Sequence, residues 1–229
     1  MKADKINEKE YFKDRYVYFL SREKKARIIL NELNQFANLG PNKKIKVLAV
    51  GGEYGFIEYN LSKWTRWNII TSDIEENLIK KYPKFKKYVT TKVLDATKLP
   101  YKDNSFDLVI CNHVIEHILN YTTAINEIYR ILKKSGYIYL ATPNSHRKFV
   151  NPKIILTNKK RISDSKRIAL HMGFSREELN YLLSMFSNIQ NVTVNHQIKN
   201  LRQFGHVAKI LPKSLFLEYS QTNVFICQK

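Results

Sequence analysis

Residues 45–55 read IKVLAVGGEYG, a nearly continuous apolar run that stops at a cluster of glycines. An apolar run of this length, Lys44–Val50, suits a strand buried on both faces, as in parallel sheets covered by helices. Gly51–Gly55 then reads as a turn, and a helical pattern begins at about Tyr54. The same alternation extends in both directions. Upstream, residues 8–38 are helical in two pieces; Ala26, Ile29, Leu30, Leu33 and Phe36 recur at helical spacing, and Gly40-Pro41 ends the run. Downstream, strands are predicted at Trp67–Thr71, closing on Ser72-Asp73, and at Tyr88–Leu94, closing on Asp95. Two more follow at Phe106–Cys111 and Tyr137–Ala141. Helices are predicted at Ile74–Lys81, Ala124–Lys133 and Phe174–Met185, the last with Ser175 as N-cap and Glu178 completing a capping box. Ile189–Val194 and Asn223–Cys227 close the sheet, with residues 200–220 as helix or loop over one edge. The expectation is one α/β domain over residues 1–229, with N-terminal helices at 1–40 and a basic insertion or lid at 145–172.

Composition narrows the class. The 229 residues are 44% hydrophobic and 26% charged, which is ordinary for a globular chain. Lys and Arg number 39 against 20 Asp and Glu, a net charge of +19. This balance admits an anionic partner such as nucleic acid, although a Lys-, Ile- and Asn-rich composition produces it without one. Between Arg147 and Arg167 stand eight basic residues and one acid, Asp164. Aromatic residues are too sparse there for a base-stacking surface, so a solvated insertion is the reading. The two cysteines, Cys111 and Cys227, sit in apolar strand runs and read as buried thiols of a reducing compartment. The charged N-terminus has no apolar core of a secretory signal, and no apolar run approaches a membrane span. The expected location is cytoplasmic.

In open α/β sheets, ligands bind beyond the carboxyl ends of the strands. Three features fall at such ends: the turn Gly51-Gly52-Glu53-Tyr54-Gly55, then Asp73, then Asp95. Asp73 lies 22 residues after Gly51, and Asp95 another 22 after Asp73. A glycine turn at a helix N-terminus favours a carboxylate or phosphate. A carboxylate at the second strand's end can accept from both ribose hydroxyls. One at the third can accept from an exocyclic amine. Together they suit a nucleoside ligand.

From Lys46 to about Asn144 the chain resembles the class I S-adenosylmethionine-dependent methyltransferases, especially the ubiquinone/menaquinone-biosynthesis type. The matching stretches are VLAVGGEYG (47–55), SD (72–73), LDATKLPYKDNSFDLVICNHVIEHI (94–118) and EIYRILKKSGYIYLATPN (127–144). HMGFSREELNYLL (171–183) and VFICQK (224–229) resemble the family's late helix and last strand more weakly. The resemblance implies a Rossmann-like fold with a seven-stranded, mostly parallel sheet flanked by helices, and S-adenosyl-L-methionine as cofactor. It implies that Gly51 and Gly55 frame the methionine moiety, that Asp73 binds ribose, and that Asp95 with the backbone of Ala96 holds adenine. Asn112 and His113 would border the sulfonium and the acceptor. Gly52, Glu53 and Ile74 complete the expected cofactor set. His113 and His171 are the candidate bases, because histidine titrates near neutrality, and Tyr54 is a candidate aromatic face for the sulfonium.

The chain departs from the family at two positions. The family has an acid where Ala49 stands and a glycine where Glu53 stands. Glu53 would repel the cofactor carboxylate or turn toward its ammonium, and would be strained if φ were positive. The implied activity is methyl transfer to a small-molecule, lipid or glycan acceptor, at oxygen. A catalytically silent domain of the same fold and an RNA methyltransferase are the alternatives. Two other readings compete for the same residues. His113-Val-Ile-Glu116-His117 matches a zinc-binding HxxEH pattern on a helix, but no third ligand is evident and no metal is expected. GGEYGF lacks the GxGxxG of dinucleotide-binding oxidoreductases.

Overall fold

The computed structural model describes residues 7–145, 173–193 and 222–229. The basic stretch expected within 145–172 lies outside the described residues from 146 onward, as do His171 and the 200–220 segment.

Seven strands form one sheet in the order β3-β2-β1-β4-β5-β7-β6. They are β1 (Lys46–Val50), β2 (Asn68–Asp73), β3 (Thr90–Val93), β4 (Phe106–Asn112), β5 (Leu132–Pro143), β6 (Ser187–Asn191) and β7 (Thr222–Gln228). The first five run parallel, whereas β7 is antiparallel to both β5 and β6. This is the mostly parallel, helix-flanked sheet expected from the sequence. Strand order reverses between β1 and β4, which opens a crevice at their carboxyl ends.

Successive residues of the buried strands feed opposite layers, as the two-residue strand period requires. Val47, Ala49, Leu108 and Ile110 face a core shared with α2 (Tyr16–Ala37) and α3 (Phe56–Trp64). Leu48, Val50, Val109 and Cys111 face a second core with α5 (Tyr121–Ile131) and α6 (Arg176–Leu182). Both cysteines are free and buried, as read from the sequence.

The N-terminal helices are two, α1 (Glu8–Tyr11) and α2, as expected. Helix α2 stops at Ala37 because Asn38 adopts a left-handed conformation, φ 52°, just ahead of Gly40-Pro41. An aromatic cluster fastens this arm to the sheet. Phe12 stacks on Phe19 at 4.4 Å between centroids, and both meet Phe56 of α3 edge-on at 5.3 and 5.5 Å. Tyr54 also joins it, at 5.5 Å from Phe56 and beneath the Arg15 guanidinium.

Elsewhere the boundaries moved for local reasons. The helix expected at Ile74–Lys81 shrinks to α4, Glu76–Lys80, because the Asp73 carboxylate bonds the Glu75 N–H in a turn first. The expected β5 start at Tyr137 moves back to Leu132, which pairs with Phe106 ahead of an irregularity in the ladder. Ser175 and Glu178 form the expected capping box at the start of α6. The segment LPYKDN is clamped by Arg130 of α5. Its guanidinium donates to the carbonyls of Leu99 and Tyr101 and to the carboxylates of Asp103 and Glu127, at 2.7–3.0 Å.

Leu108 lies fully buried on β4, between both neighbouring strands. Leu108→Ala is expected to cost about 2–5 kcal/mol, measured as a shift in the urea midpoint at unchanged m-value.

Candidate functional site

The crevice between β1 and β4 is lined by the β1 turn, the end of β4, the first turn of α3, and Tyr18 and Arg22 of α2. Its floor is backbone. Gly51 has φ +65°, and a Cβ there would sit 2.4 Å from Val114 Cγ2. A Cβ on Gly52 would sit 2.1 Å from Thr71 Oγ1. Neither position admits a side chain, because Val114 and Thr71 fill the space a Cβ would take, and the main chain of both glycines lines the crevice. Gly55, φ +71°, lets the chain turn into α3.

Glu53 occupies the left-handed region, φ +50°, which confirms the strain expected of a non-glycine there. Its side chain lies on the α2 side of the crevice. It accepts from the Tyr18 hydroxyl and pairs with Arg22. Asp73 supplies the compensating contact: its carboxylate accepts from the Glu53 N–H at 3.0 Å and the Glu75 N–H at 2.9 Å. Asp73 is only 9% exposed, yet a carboxylate with two such bonds keeps acceptor capacity for a hydroxyl. Beside it, Ile74 is 67% exposed, an uncovered apolar face at the sheet's rim. Asp95 is exposed, with one oxygen held by the N–H and hydroxyl of Thr97, each at 2.8 Å; Ala96 behind it is buried.

At the end of β4, Asn112 presents a buried Oδ1 that has no hydrogen-bond partner. His113 follows in the left-handed region, φ +57°. Its Nδ1 lies 3.3 Å from Glu116 Oε1, and Glu116 Oε2 in turn accepts from Thr142 Oγ1 at 3.0 Å. His113 Nε2 lies 3.4 Å from Lys25 Nζ, a residue of α2. Burial holds the His113 ring below the usual histidine range, only partly opposed by its hydrogen bond to Glu116. The Lys25 ammonium is pushed down to about 8, by burial first and by Arg22 second. Residues Ile115–His117 form a single 3-10 turn, so the α-helical face that HxxEH would need for two zinc ligands is not built. Tyr54 stands in the aromatic cluster and is not among the residues lining the crevice.

Residues 48–140 match the family described as methyltransferase domain. The match covers the central segment of the chain, from β1 to β5. S-adenosylmethionine is the cofactor the family implies. A protein of Methanocaldococcus jannaschii is 39% identical over 118 residues, which is 51% of this chain and 49% of that one. Demethylmenaquinone methyltransferase of Streptomyces avermitilis is 39% identical over 46 residues, 20% of each chain. The aligned part thus spans about half of the first relative and a fifth of the second. A Haemonchus contortus phosphoethanolamine N-methyltransferase was solved with phosphomonomethylethanolamine and S-adenosylhomocysteine. It superposes with a TM-score of 0.60 at 17% identity, over 98% of this chain and 60% of that chain. At this identity the likeness is one of fold.

The fold brings Gly51, Gly52, Glu53, Asn112 and His113 to one crevice, with Asp73 bonded to its rim; Asp95 and Ala96 stand at the end of β3. Four polar residues of the site escaped the sequence reading. Glu116 was visible as part of HxxEH, but as a zinc-motif member rather than as the partner of His113. Arg22 and Lys25 sit on a helix far from β4 in sequence, so no spacing pointed to them. Glu58 looked like an ordinary acid in the first turn of a helix. It is 3% exposed, faces the crevice beneath Gly52, and its Oε2 has no hydrogen-bond partner. Burial pushes its carboxyl up to about 7, with Glu53 and Asp73 adding to the rise.

A carboxyl whose pKa is raised on folding loses stability for the folded state as pH climbs from its unfolded value, near 4.3, through about 7. Glu58→Gln removes that loss. At pH 8 the variant is expected to be more stable than the parent by about 3–4 kcal/mol, with the gap closing toward pH 4. Thermal unfolding at the two pH values checks this, and a gap independent of pH contradicts it.

Proposed function

We propose that the protein is an S-adenosylmethionine-dependent methyltransferase acting at an oxygen atom of a small-molecule, lipid or glycan acceptor. The observation that carries the reading is the backbone cradle of Gly51 and Gly52. It lies where strand order reverses, and a carboxylate, Asp73, is fixed beside it. When bound there, the cofactor supplies a methyl group already activated by a sulfonium.

The residues present fit that ligand. Asp73 offers its remaining lone pairs to ribose hydroxyls. Asp95, with one oxygen held by Thr97, offers the other to an adenine amine, and Ile74 offers an apolar face to the base. The glycine turn and the N-terminus of α3 suit a carboxylate. Asn112 ends β4 and His113 follows it, so they adjoin the reacting end of a ligand laid along the crevice.

The remaining demand on the protein is to orient an acceptor oxygen and take its proton. His113 is built for this. Glu116 accepts from the Nδ1–H, which leaves Nε2 as the basic nitrogen, on the side of Lys25, and burial keeps the ring neutral near pH 7. Lys25 adjoins the same nitrogen. An acceptor hydroxyl entering beside the pair meets a base and an ammonium together, and the ammonium favours the oxyanion as the proton leaves.

Calorimetric titration with S-adenosylmethionine and S-adenosylhomocysteine tests the reading. Micromolar binding is expected, weakened at least tenfold in Asp73→Ala; no binding to the folded protein sinks it. In a methyl-transfer assay on an acceptor found by screening, His113→Ala is expected to lower kcat by roughly 10²–10⁴ while cofactor Kd stays within a few-fold. The parent's rate should fall with falling pH through an apparent pKa below 6.5, the usual value for His113's side chain. A parent rate unaffected by the variant excludes His113 as the base.

A further inference from the structure

Ala49 leaves a gap in the chemistry of the β1 turn. The resemblance expects an acid at this position, where it orients the methionine part of the cofactor. A methyl group, 1% exposed, cannot do so. In the sheet, Ala49 is registered against Thr71 of β2 and Ile110 of β4. Helix α3 crosses this same layer and brings Glu58 to it. A Cβ placed on Gly52 would lie 2.1 Å from Thr71 Oγ1 and 3.4 Å from Glu58 Oε2. The Thr71 hydroxyl and the Glu58 carboxyl therefore converge under Gly52, beside the strand position from which the acid is missing.

Two acceptors lining the crevice are unsatisfied. Glu58 Oε2 and Asn112 Oδ1 are both buried without a hydrogen-bond partner, and both residues line the crevice. An unpaired buried acceptor is costly, more so when charged, so two of them in one crevice call for a donor from outside the chain. Glu53 is already engaged with Tyr18 and Arg22. Among the described residues no cation forms an ion pair with Glu58.

We infer that Glu58 takes the place of the absent acid and receives the α-ammonium of the methyl donor, with Asn112 Oδ1 as its second acceptor. The inference rests on the methyltransferase reading, and it moves the ammonium anchor from β1 to α3. An ammonium carries several donors and matches two acceptors where a hydroxyl would not. The charged and titratable groups about Glu58 are Glu53 and Asp73, which disfavour its ionisation, and Arg22, which favours it. His113 and Tyr18 line the same crevice. Because the free carboxyl is held near neutrality, arrival of an ammonium should displace its proton. Affinity then rises as pH climbs toward 7 and levels above it.

The test is calorimetry with two probes, S-adenosylhomocysteine and 5′-methylthioadenosine, which shares the nucleoside and lacks the amino-acid part. Titrations run in buffers of different ionisation enthalpy, so that protons released on binding are counted. Glu58→Gln is expected to weaken S-adenosylhomocysteine at least tenfold, to leave methylthioadenosine within about twofold, and to abolish proton release near pH 7. Glu58→Asp should recover part of the loss. If Glu58→Gln binds S-adenosylhomocysteine as the parent does, the inference falls while the methyltransferase reading stands. If the parent binds neither probe, both fall. Should Glu58→Gln fail to fold, the parent alone decides: proton release with S-adenosylhomocysteine but not with methylthioadenosine supports the anchor, and equal proton counts overturn it.

Discussion

The Asp73 carboxylate holds the site together. It accepts from the Glu53 N–H of the β1 turn and from the Glu75 N–H of the turn that follows β2. Two loops that are distant in sequence are thereby locked in one arrangement. Hydrogen bonds to a charged acceptor are worth about 1.5–3 kcal/mol each, and left-handed backbone at a non-glycine residue costs about 1–2 kcal/mol. The Asp73 contact is therefore large enough to hold Glu53 at φ +50°. That conformation keeps the crevice floor as bare backbone and sends the Glu53 side chain outward to α2.

The outward turn of Glu53 links the site to the N-terminal arm. Tyr18 and Arg22 of α2 take its carboxylate, and three residues beyond Arg22 stands Lys25, against His113. Helix α2 keeps this register because Phe12 and Phe19 are buried against Phe56 of α3. Aromatic packing at one end of the arm thus places cations over the crevice at the other. The crevice is electrically divided as a result. Glu58 and Asp73 bring carboxyls beneath the glycine turn, whereas Arg22 and Lys25 bring cations from α2.

Glu58 and Glu116 show how neighbouring groups separate the behaviour of two buried acids. Both are in short local structures at the crevice. Glu116 accepts from Thr142 and adjoins the His113 ring. Glu58 lies near two other acids and keeps an unpaired oxygen, so burial dominates and its carboxyl is pushed up. One is suited to steady an imidazole, and the other to await a cation.

The apolar run at 45–50, the glycine turn and the equal spacing of Gly51, Asp73 and Asp95 were enough to read a parallel sheet with a ligand crevice. Strand burial and turn chemistry are local properties, written in consecutive residues. The capping box at Ser175 and the strain at Glu53 were legible for the same reason. The partners of His113, the outward course of Glu53 and the burial of Glu58 were not. Each depends on helices packing across the sheet: α2 meets the end of β4, 88 positions away in the chain, to set Lys25 beside His113, and α3 folds back over the β1 turn. A first-turn acid carries the same local signal whether it faces solvent or a crevice. Only the packing of α3 against β1 and β2 removes water from Glu58, and the loss of water makes an ordinary carboxyl a candidate cation site.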